Sequence, residues 1–287
     1  MTMTLGKLSA LFKLRIGFAI TLCAAAGMAM TQGPALPAWK VSVLLLAVFL
    51  SSGAAGAFNQ YAERDLDARM ARTRRRPFVT GEFHAGPAWL AIILGILAFA
   101  VAAAAWALNV MSALYVFSGA FVYGVVYTVW LKQRTAWNIV VGGLAGSFAV
   151  LAGSAAVDPA LSPAAIALAV VLFLWTPPHF WSLATVLHKD YAAANVPMLP
   201  VIVGDAKAAR ITLGHTIALV AVSVVPVVFG MGVIYLAGAL AGGAYFVLKS
   251  VDLVRDPGPK AARANFLASF VQLGLLLTAA IVDRAVG

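Results

Sequence analysis

Nine apolar runs, each about 20 residues long, dominate this 287-residue chain. A helix of that length crosses the hydrocarbon core of a bilayer. Hydrophobic residues make up 63% of the sequence and charged residues only 10%, which leaves too few polar groups to cover a water-soluble surface. The sequence therefore predicts an all-α polytopic membrane protein, a bundle of about nine transmembrane helices. The predicted spans are 10–30, 38–58, 87–108, 111–131, 137–157, 162–182, 210–229, 231–250 and 264–283.

Two of these runs need separate interpretation. The first is followed by Gly33, Pro34 and another apolar run, so we expect a retained span and no cleavable signal peptide. The segment Pro226–Gly230, between the seventh and eighth runs, is either one turn between two spans or a kink within one longer segment. The single cysteine, Cys23, lies within the first run, which excludes a disulfide within the chain and argues against a cysteine-based metal site.

The basic residues alternate between the two sides of the predicted membrane. If the N-terminus is cytoplasmic, all of the 20 lysines and arginines except Lys40 and Arg284 fall on the cytoplasmic side. Cytoplasmic loops carry such an excess of positive charge. The pattern therefore predicts a cytoplasmic N-terminus and a C-terminus outside. The net charge of +10 follows from membrane orientation and does not require a nucleic-acid partner.

Two cytoplasmic connections, about 59–86 and 183–209, are much longer than the others. They also contain six of the ten acidic residues. Loops that merely connect spans carry scattered charges, whereas these charges recur at ordered spacings. We therefore expect a single membrane domain over 1–287, with the functional site on these two connections.

The first connection begins with Asn59, Glu63 and Asp67, spaced four residues apart. Nothing between them breaks a helix, so we expect the second helix to continue and to place all three on one face. Carboxylates at this spacing repel each other unless a cation offsets them, and hard oxygen ligands suit Mg²⁺. Arg72 and Arg76 follow, and such cations can hold a phosphate that also bridges the metal.

A second polar group follows the sixth run. Two adjacent prolines, Pro177 and Pro178, remove backbone donors near the expected helix end, and His179 comes next. Lys189 and Asp190 follow and would face the first connection across the mouth of the bundle. The alternative for His179 is a packing residue among aromatic side chains.

Lys132 forms a third polar group at the cytoplasmic end of the fourth run. It either contributes to the site or extends along the helix surface to the lipid headgroups. Arg74 and Arg75 have a similar alternative as anchors to anionic lipid.

Three segments together resemble the UbiA-type intramembrane prenyltransferases, which transfer an isoprenoid chain from its diphosphate to an acceptor inside a helical bundle, using Mg²⁺. They are NQYAERDLDARMARTRRRP at 59–77, YTVWLKQRTAWNIVVGG at 127–143, and TPPHFWSLA followed by KDYAAANVPMLPV at 176–201. The resemblance covers about residues 10–285. Quinone-type members carry an aspartate pair, DxxxD, where this chain has His188-Lys189-Asp190-Tyr191, a pattern similar to the heme-farnesylating branch, the protoheme IX farnesyltransferases or heme O synthases.

The chain departs from the heme branch at two places. Gly146-Ser-Phe-Ala-Val-Leu stands where heme-branch members commonly carry a Pro-Pro pair, and Leu14 stands where they often carry proline. Both positions lie near the expected acceptor cavity and outside the diphosphate site.

The resemblance implies transfer of the farnesyl group of farnesyl diphosphate to a vinyl group of heme b, giving heme O and diphosphate. It implies Mg²⁺ ligands at Asn59, Glu63, Asp67 and Asp190. It implies diphosphate contacts from Arg72, Arg76, Lys132, Arg15 and Lys189. It implies heme binding by His179 and shielding of the allylic cation by Phe58, Tyr61, Tyr123 and Tyr127.

The resemblance also implies a location in the bacterial inner membrane, with the active site at the cytoplasmic face and coupling to a heme A synthase or a terminal oxidase. Two other functions stay open at this stage. A prenyltransferase of quinone precursors would share the metal site and differ in its acceptor. A heme transporter would carry charges near the middle of the bilayer, whereas these charges cluster at one face.

Overall fold

The computed structural model describes residues 5–286, and every regular element in that range is a helix. Two segments are not α-helical: Val122–Leu131 is a π-helix and Val225–Phe229 is a 3₁₀ helix. The predicted all-α fold class is confirmed. The α-helices are α1 (Leu5–Leu11), α2 (Leu14–Ala29), α3 (Ala38–Ala62), α4 (Arg64–Asp67), α5 (Pro87–Ala107), α6 (Val110–Phe121), α7 (Asn138–Gly142), α8 (Leu144–Val157), α9 (Pro163–Val186), α10 (His188–Ala193), α11 (Leu199–Val203), α12 (Asp205–Ser223), α13 (Val233–Arg255) and α14 (Pro259–Val286).

Eight helical segments in the described range are long and apolar enough to cross a bilayer, and the pair α1 and α2 forms a ninth candidate, bent by 54°. Each segment corresponds to one predicted run, so the protein is an integral membrane protein. The division near Pro226–Gly230 is real. The 3₁₀ helix ends at Phe229, and Gly230, at φ 87°, turns the chain before α13 begins.

Helix α9 extends further than the sequence predicts. The sixth run was expected to end near residue 182, but the helix passes through Pro177 and Pro178 and ends at Val186. Hydroxyl groups close to the prolines add hydrogen bonds along it: Thr176 Oγ1 donates to Leu172 O at 3.0 Å, and Ser182 Oγ donates to Pro178 O at 2.6 Å. Sixteen of the 24 residues of α9 are also buried, so packing against neighbouring helices compensates for the lost backbone donors.

The packing of α2 against α8 depends on two glycines. A Cβ at Gly27 would overlap the carbonyl oxygen of Val150, and a Cβ at Gly153 would overlap that of Ala24. The two helices therefore touch backbone to backbone, as small residues allow in membrane bundles. This contact fixes α2 next to the centre of the bundle, and with it the residues that precede α2.

We expect Gly153→Ala to lower the free energy of unfolding by about 1–3 kcal/mol, because the added methyl group forces α2 and α8 apart. Gly95→Ala on α5 is the matched control, since no atom lies within 4 Å of its added Cβ. The measurement is the thermal unfolding midpoint of both variants in detergent. Equal midpoints would contradict the close packing of α2 and α8.

Candidate active site

Asn59, Glu63 and Asp67 form a buried row at the end of α3. The exposed fraction of each residue is 4% or less. The expectation of an uninterrupted helix is wrong at one residue: α3 ends at Ala62, and Glu63, at φ −96° and ψ 11°, separates it from α4. The four-residue hydrogen bonds nevertheless continue, from Glu63 N to Asn59 O at 3.0 Å and from Asp67 N to Glu63 O at 2.7 Å. The predicted spacing of the row is therefore retained.

Each residue of the row meets one basic side chain, and each of these contacts is 2.6 Å long. The pairs are Lys13 Nζ with Asn59 Oδ1, Lys132 Nζ with Glu63 Oε2, and Arg76 Nη1 with Asp67 Oδ2. The three cations come from three different parts of the chain: the α1–α2 bend, the end of the π-helix and the first long connection. The tertiary structure thus sets a row of oxygen atoms against a row of positive charges.

Lys13 was not among the predicted site residues, whereas Arg15 was. Lys13 lies in the α1–α2 bend with left-handed backbone angles, φ 50° and ψ 45°, and its Nζ also donates to Tyr123 Oη at 2.9 Å. Arg15 is exposed, and no polar contact of its side chain is observed within residues 5–286. Sequence alone showed two neighbouring cations, and only the bend decides which of them faces the row. The placement of Arg15 in the site stays a prediction.

Arg76 reaches the row because the chain after α4 turns back on itself. The hydroxyl group of Thr73, which is 1% exposed, donates to Asp67 O at 2.9 Å. The same turn leaves Arg72, Arg74 and Arg75 exposed. Arg74 and Arg75 are thus available to lipid headgroups, as the alternative interpretation expects.

The second connection packs against the first, as predicted. Asp190 contacts the first connection at Arg72, beside the row. Asp190 Oδ2 accepts a hydrogen bond from the backbone N–H of Arg72 at 3.3 Å. Tyr191, Val196 and Met198 form one apolar cluster with Leu66 and Met70 of the first connection. Lys189 is exposed.

Tyr191 is a further residue that sequence reasoning missed. Burial raises the pKa of Tyr191, although the positive charge of Arg72 acts in the opposite direction, so the hydroxyl group stays protonated at neutral pH.

The row can accept a metal ion, but its carboxylates do not form a complete metal site alone. Within residues 5–286, no three histidine, cysteine, aspartate or glutamate side chains lie close enough together to hold a metal ion. However, Glu63 Oε1 is buried and has no hydrogen-bond partner in that range. A buried acceptor without a donor fits a cation, and Mg²⁺ usually takes only one or two carboxylates together with substrate phosphates.

His179 lies in an aromatic enclosure between α9 and α14. Its ring stacks on Trp175 and Phe266, with centroid distances of 4.2 and 4.6 Å. Nδ1 lies 2.7 Å from Ser269 Oγ, which donates its own proton to Phe266 O at 2.6 Å. With the Ser269 proton assigned to Phe266 O, Nδ1 is the donor of its contact with Ser269, and Nε2 is the ring's lone-pair nitrogen. This arrangement combines the packing role with a nitrogen that is able to bind a metal.

The four aromatic candidates separate into two groups. Tyr123 and Tyr127 stack at 5.6 Å beside the row, and Lys132 Nζ lies 5.8 Å from the centroid of the Tyr127 ring. Tyr61 packs edge to face on Phe78, and Phe58 and Tyr61 both pack against the apolar cluster that contains Phe78 and Phe83. The structure therefore places Tyr123 and Tyr127 beside the charged groups, and Phe58 and Tyr61 against that apolar cluster.

A family model described as the UbiA prenyltransferase family matches residues 20–274. The chain belongs to this family. It is therefore a membrane-embedded prenyltransferase, which confirms the family resemblance inferred from the three motifs.

Curated relatives match almost the whole chain. Protoheme IX farnesyltransferase 2 of Paramagnetospirillum magneticum is 59% identical over 283 residues, which cover 99% of this chain and 98% of that protein. Protoheme IX farnesyltransferase 1 of the same organism is 44% identical over 98% of this chain and 99% of its own length.

Solved structures share the fold of this UbiA family member. A digeranylgeranylglyceryl phosphate synthase matches with a TM-score of 0.80 and 14% identity, over 98% of both chains. A UbiA homologue from Archaeoglobus fulgidus, solved with DMAPP and Mg²⁺, matches with a TM-score of 0.74 and 17% identity, over 98% of this chain and all of the other. At these identities the matches establish the fold alone.

Lys132→Met should lower the free energy of unfolding by about 3–5 kcal/mol, because it leaves the buried Glu63 carboxylate without its cation. Arg134→Met, in the exposed segment after the same helix, is the matched control. Adding Glu63→Gln to Lys132→Met should restore part of the loss. Chemical or thermal unfolding in detergent measures all three, and a Lys132 variant as stable as the Arg134 control would show that the pair does not stabilise the fold.

Proposed function

We propose that this prenyltransferase transfers the farnesyl group of farnesyl diphosphate to a vinyl carbon of heme b, giving heme O and diphosphate. The relative that is 59% identical over nearly its full length, a protoheme IX farnesyltransferase, supports the choice of donor and acceptor. The observation that carries the chemistry is the buried row of Asn59, Glu63 and Asp67, each paired with a cation at 2.6 Å. Such opposed charges suit a diphosphate and its metal ion.

The diphosphate would lie between the two rows of charge. Glu63 and Asp67 would hold Mg²⁺, with Asn59 as a neutral oxygen donor and Asp190 on the opposing connection. When bound, Mg²⁺ neutralises negative charge on the diphosphate oxygens. Lys132 is then free to leave its carboxylate and bind a phosphate oxygen.

Charge partners would thus be exchanged when the substrate binds. Arg76 and Lys13, like Lys132, would leave their partners in the row and bind phosphate oxygens. Further positive charge would come from the exposed side, from Arg72, Lys189 and Arg15. These cations stabilise the leaving diphosphate as the bond breaks.

The reaction requires a dry, electron-rich surface next to the charged rows. The allylic C–O bond breaks, the electron pair leaves with the diphosphate, and the vinyl group of heme attacks the resulting carbon. The cation that this produces on the heme side chain takes up one water molecule and loses a proton, which yields the hydroxyl group. Tyr123 and Tyr127 present their π faces beside Lys132, where they can stabilise the allylic cation.

The location of the reaction follows from the charge pattern. We place the N-terminus and the row at the cytoplasmic face of a bacterial inner membrane, with the C-terminus outside, because nearly all basic residues then lie on the cytoplasmic side. One domain, 1–287, contains both the bundle and the site. Passing the product to a heme A synthase or a terminal oxidase belongs to the same proposal.

The deciding experiment combines purified protein in detergent with heme b, farnesyl diphosphate and Mg²⁺, and measures the mass of the extracted heme. We expect a product heavier by one farnesyl group plus one hydroxyl group, and EDTA should abolish its formation. Glu63→Gln and Asp67→Asn should each retain less than about 10% of the activity, because each carboxylate contributes several kcal/mol. Transfer to a quinone precursor but not to heme would overturn the acceptor and keep the diphosphate site.

His179→Ala should weaken the use of heme and leave the binding of farnesyl diphosphate intact. The physical reason is the unprotonated Nε2, which can bind or orient the heme iron. The readouts are KM for heme, and the heme absorption spectrum, compared with those of Ser269→Ala, which removes the Nδ1 contact and the bond to Phe266 O but leaves the imidazole ring in place. Equal losses for heme and donor would assign His179 to packing.

A further inference from the structure

The fourth span changes its helical geometry where it reaches the site. Helix α6 ends at Phe121, and the next ten residues, Val122–Leu131, form a π-helix. π-helices are rare, occur mostly as single turns and are frequent at functional sites. A ten-residue π-helix extends over about two turns and so needs a specific cause.

The π geometry decides which side chains share a face. Residues nine positions apart lie about 180° apart around an α-helix, at 100° per residue. With the wider turn of a π-helix, at roughly 82° per residue, they lie only about 20° apart. Tyr123 and Lys132 are such a pair. Tyr123 accepts a hydrogen bond from Lys13, the cation that contacts Asn59, and Lys132 donates to Glu63 of the row.

Thr128 connects the π-helix to the row. It is 3% exposed, and its hydroxyl group donates to Tyr123 O, five residues earlier, at 2.8 Å. The backbone hydrogen bonds of a π-helix likewise join residues five positions apart. On α2 and α12 the equivalent threonine bond spans four residues, from Thr21 to Gly17 O and from Thr216 to Thr212 O.

The same hydroxyl group determines the orientation of the Asn59 amide. Because its proton is donated to Tyr123 O, Thr128 Oγ1 can only accept, and it accepts from Asn59 Nδ2 at 3.1 Å. Asn59 Oδ1 must then point the other way, towards Lys13 Nζ at 2.6 Å, which is itself a pure donor. Asn59 therefore contributes its oxygen atom, and not its amide nitrogen, to the oxygen row that faces the cations.

Two glycines make room for the wider helix. A Cβ at Gly142 on α7 would lie 3.0 Å from the Tyr127 ring. A Cβ at Gly124, within the π-helix, would lie 3.3 Å from the Phe58 ring. The π-helix is thus built into the packing of the site.

We propose that Thr128 is a positioning residue: it maintains the π geometry of Val122–Leu131 and, with it, aligns Tyr123, Lys132 and the Asn59 oxygen on the diphosphate site. The proposal rests on the proposed function in so far as the site binds a diphosphate. It assigns to Thr128 no contact with the substrate.

The test compares Thr128→Val, which removes the hydroxyl group at constant shape, with Thr128→Ser, which retains it. Thr21→Val is the matched control, because Thr21 makes an ordinary four-residue hydroxyl bond on α2. Two quantities are measured: the rate of heme farnesylation, and the rise in unfolding midpoint that inorganic pyrophosphate with Mg²⁺ produces. The second readout requires neither heme nor turnover.

We expect Thr128→Val to lose at least about tenfold in turnover and most of the pyrophosphate-induced rise, because misplaced cations stabilise the diphosphate poorly. Thr128→Ser and Thr21→Val should behave like the parent protein. Without ligand, Thr128→Val should fold with a midpoint below that of Thr21→Val, because the buried Asn59 Nδ2 loses its acceptor. Parent-like turnover and pyrophosphate response of Thr128→Val would overturn the proposal. So would equal losses in the Val and Ser variants, or a loss of turnover that disappears when the assay is run well below the midpoint of Thr128→Val.

Two further measurements keep the test decisive. If Thr128→Val does not fold, Thr128→Ala replaces it, and the pyrophosphate-induced rise is taken relative to that variant's own midpoint. If the parent protein shows the rise but no transfer to heme, the proposed acceptor fails, while the Thr128 comparison still decides the positioning role through the rise alone.

Discussion

The pairing of buried charges at one end of an apolar bundle is the constraint on which the rest of this structure depends. Glu63 and Asp67 are almost fully buried, and an isolated carboxylate in that position would cost several kcal/mol. Lys132 and Arg76 offset this cost at 2.6 Å. Because these cations come from distant parts of the chain, the pairs also determine how the first connection and the fourth span meet.

Several irregular backbone features occur where these charges meet. Glu63 interrupts α3, Lys13 takes left-handed backbone angles between α1 and α2, and Val122–Leu131 is a π-helix. Each feature directs a polar side chain towards the same small volume, whereas most of the bundle consists of regular helices. Locally unfavourable geometry of this kind persists only where the surrounding structure stabilises it, and such geometry is concentrated at functional sites.

The paired charges also suit the metal–diphosphate substrate that we propose, because they require no metal site preformed by the protein alone. A carboxylate whose partner is a flexible lysine or arginine can exchange that partner for a metal ion, and the released cation can bind the phosphate. The net charge within the bundle then changes little when the substrate enters, which limits the desolvation cost. Glu63 Oε1 is buried, has no hydrogen-bond partner among the described residues, and is already free for a cation.

The sequence by itself determined the membrane class, the number of candidate spans, the family and the identity of the acidic row, because hydropathy and residue spacing are local properties. It also predicted that Arg76 and Lys132 lie with that row, through the family motifs. It could not show that α9 continues past Pro177 and Pro178, since neighbouring helices, not local propensity, stabilise that helix. Nor could it select Lys13 over Arg15 or reveal the role of Thr128. Those choices depend on a bend and on a π-helix, and both are decided by contacts between residues that are far apart in the chain.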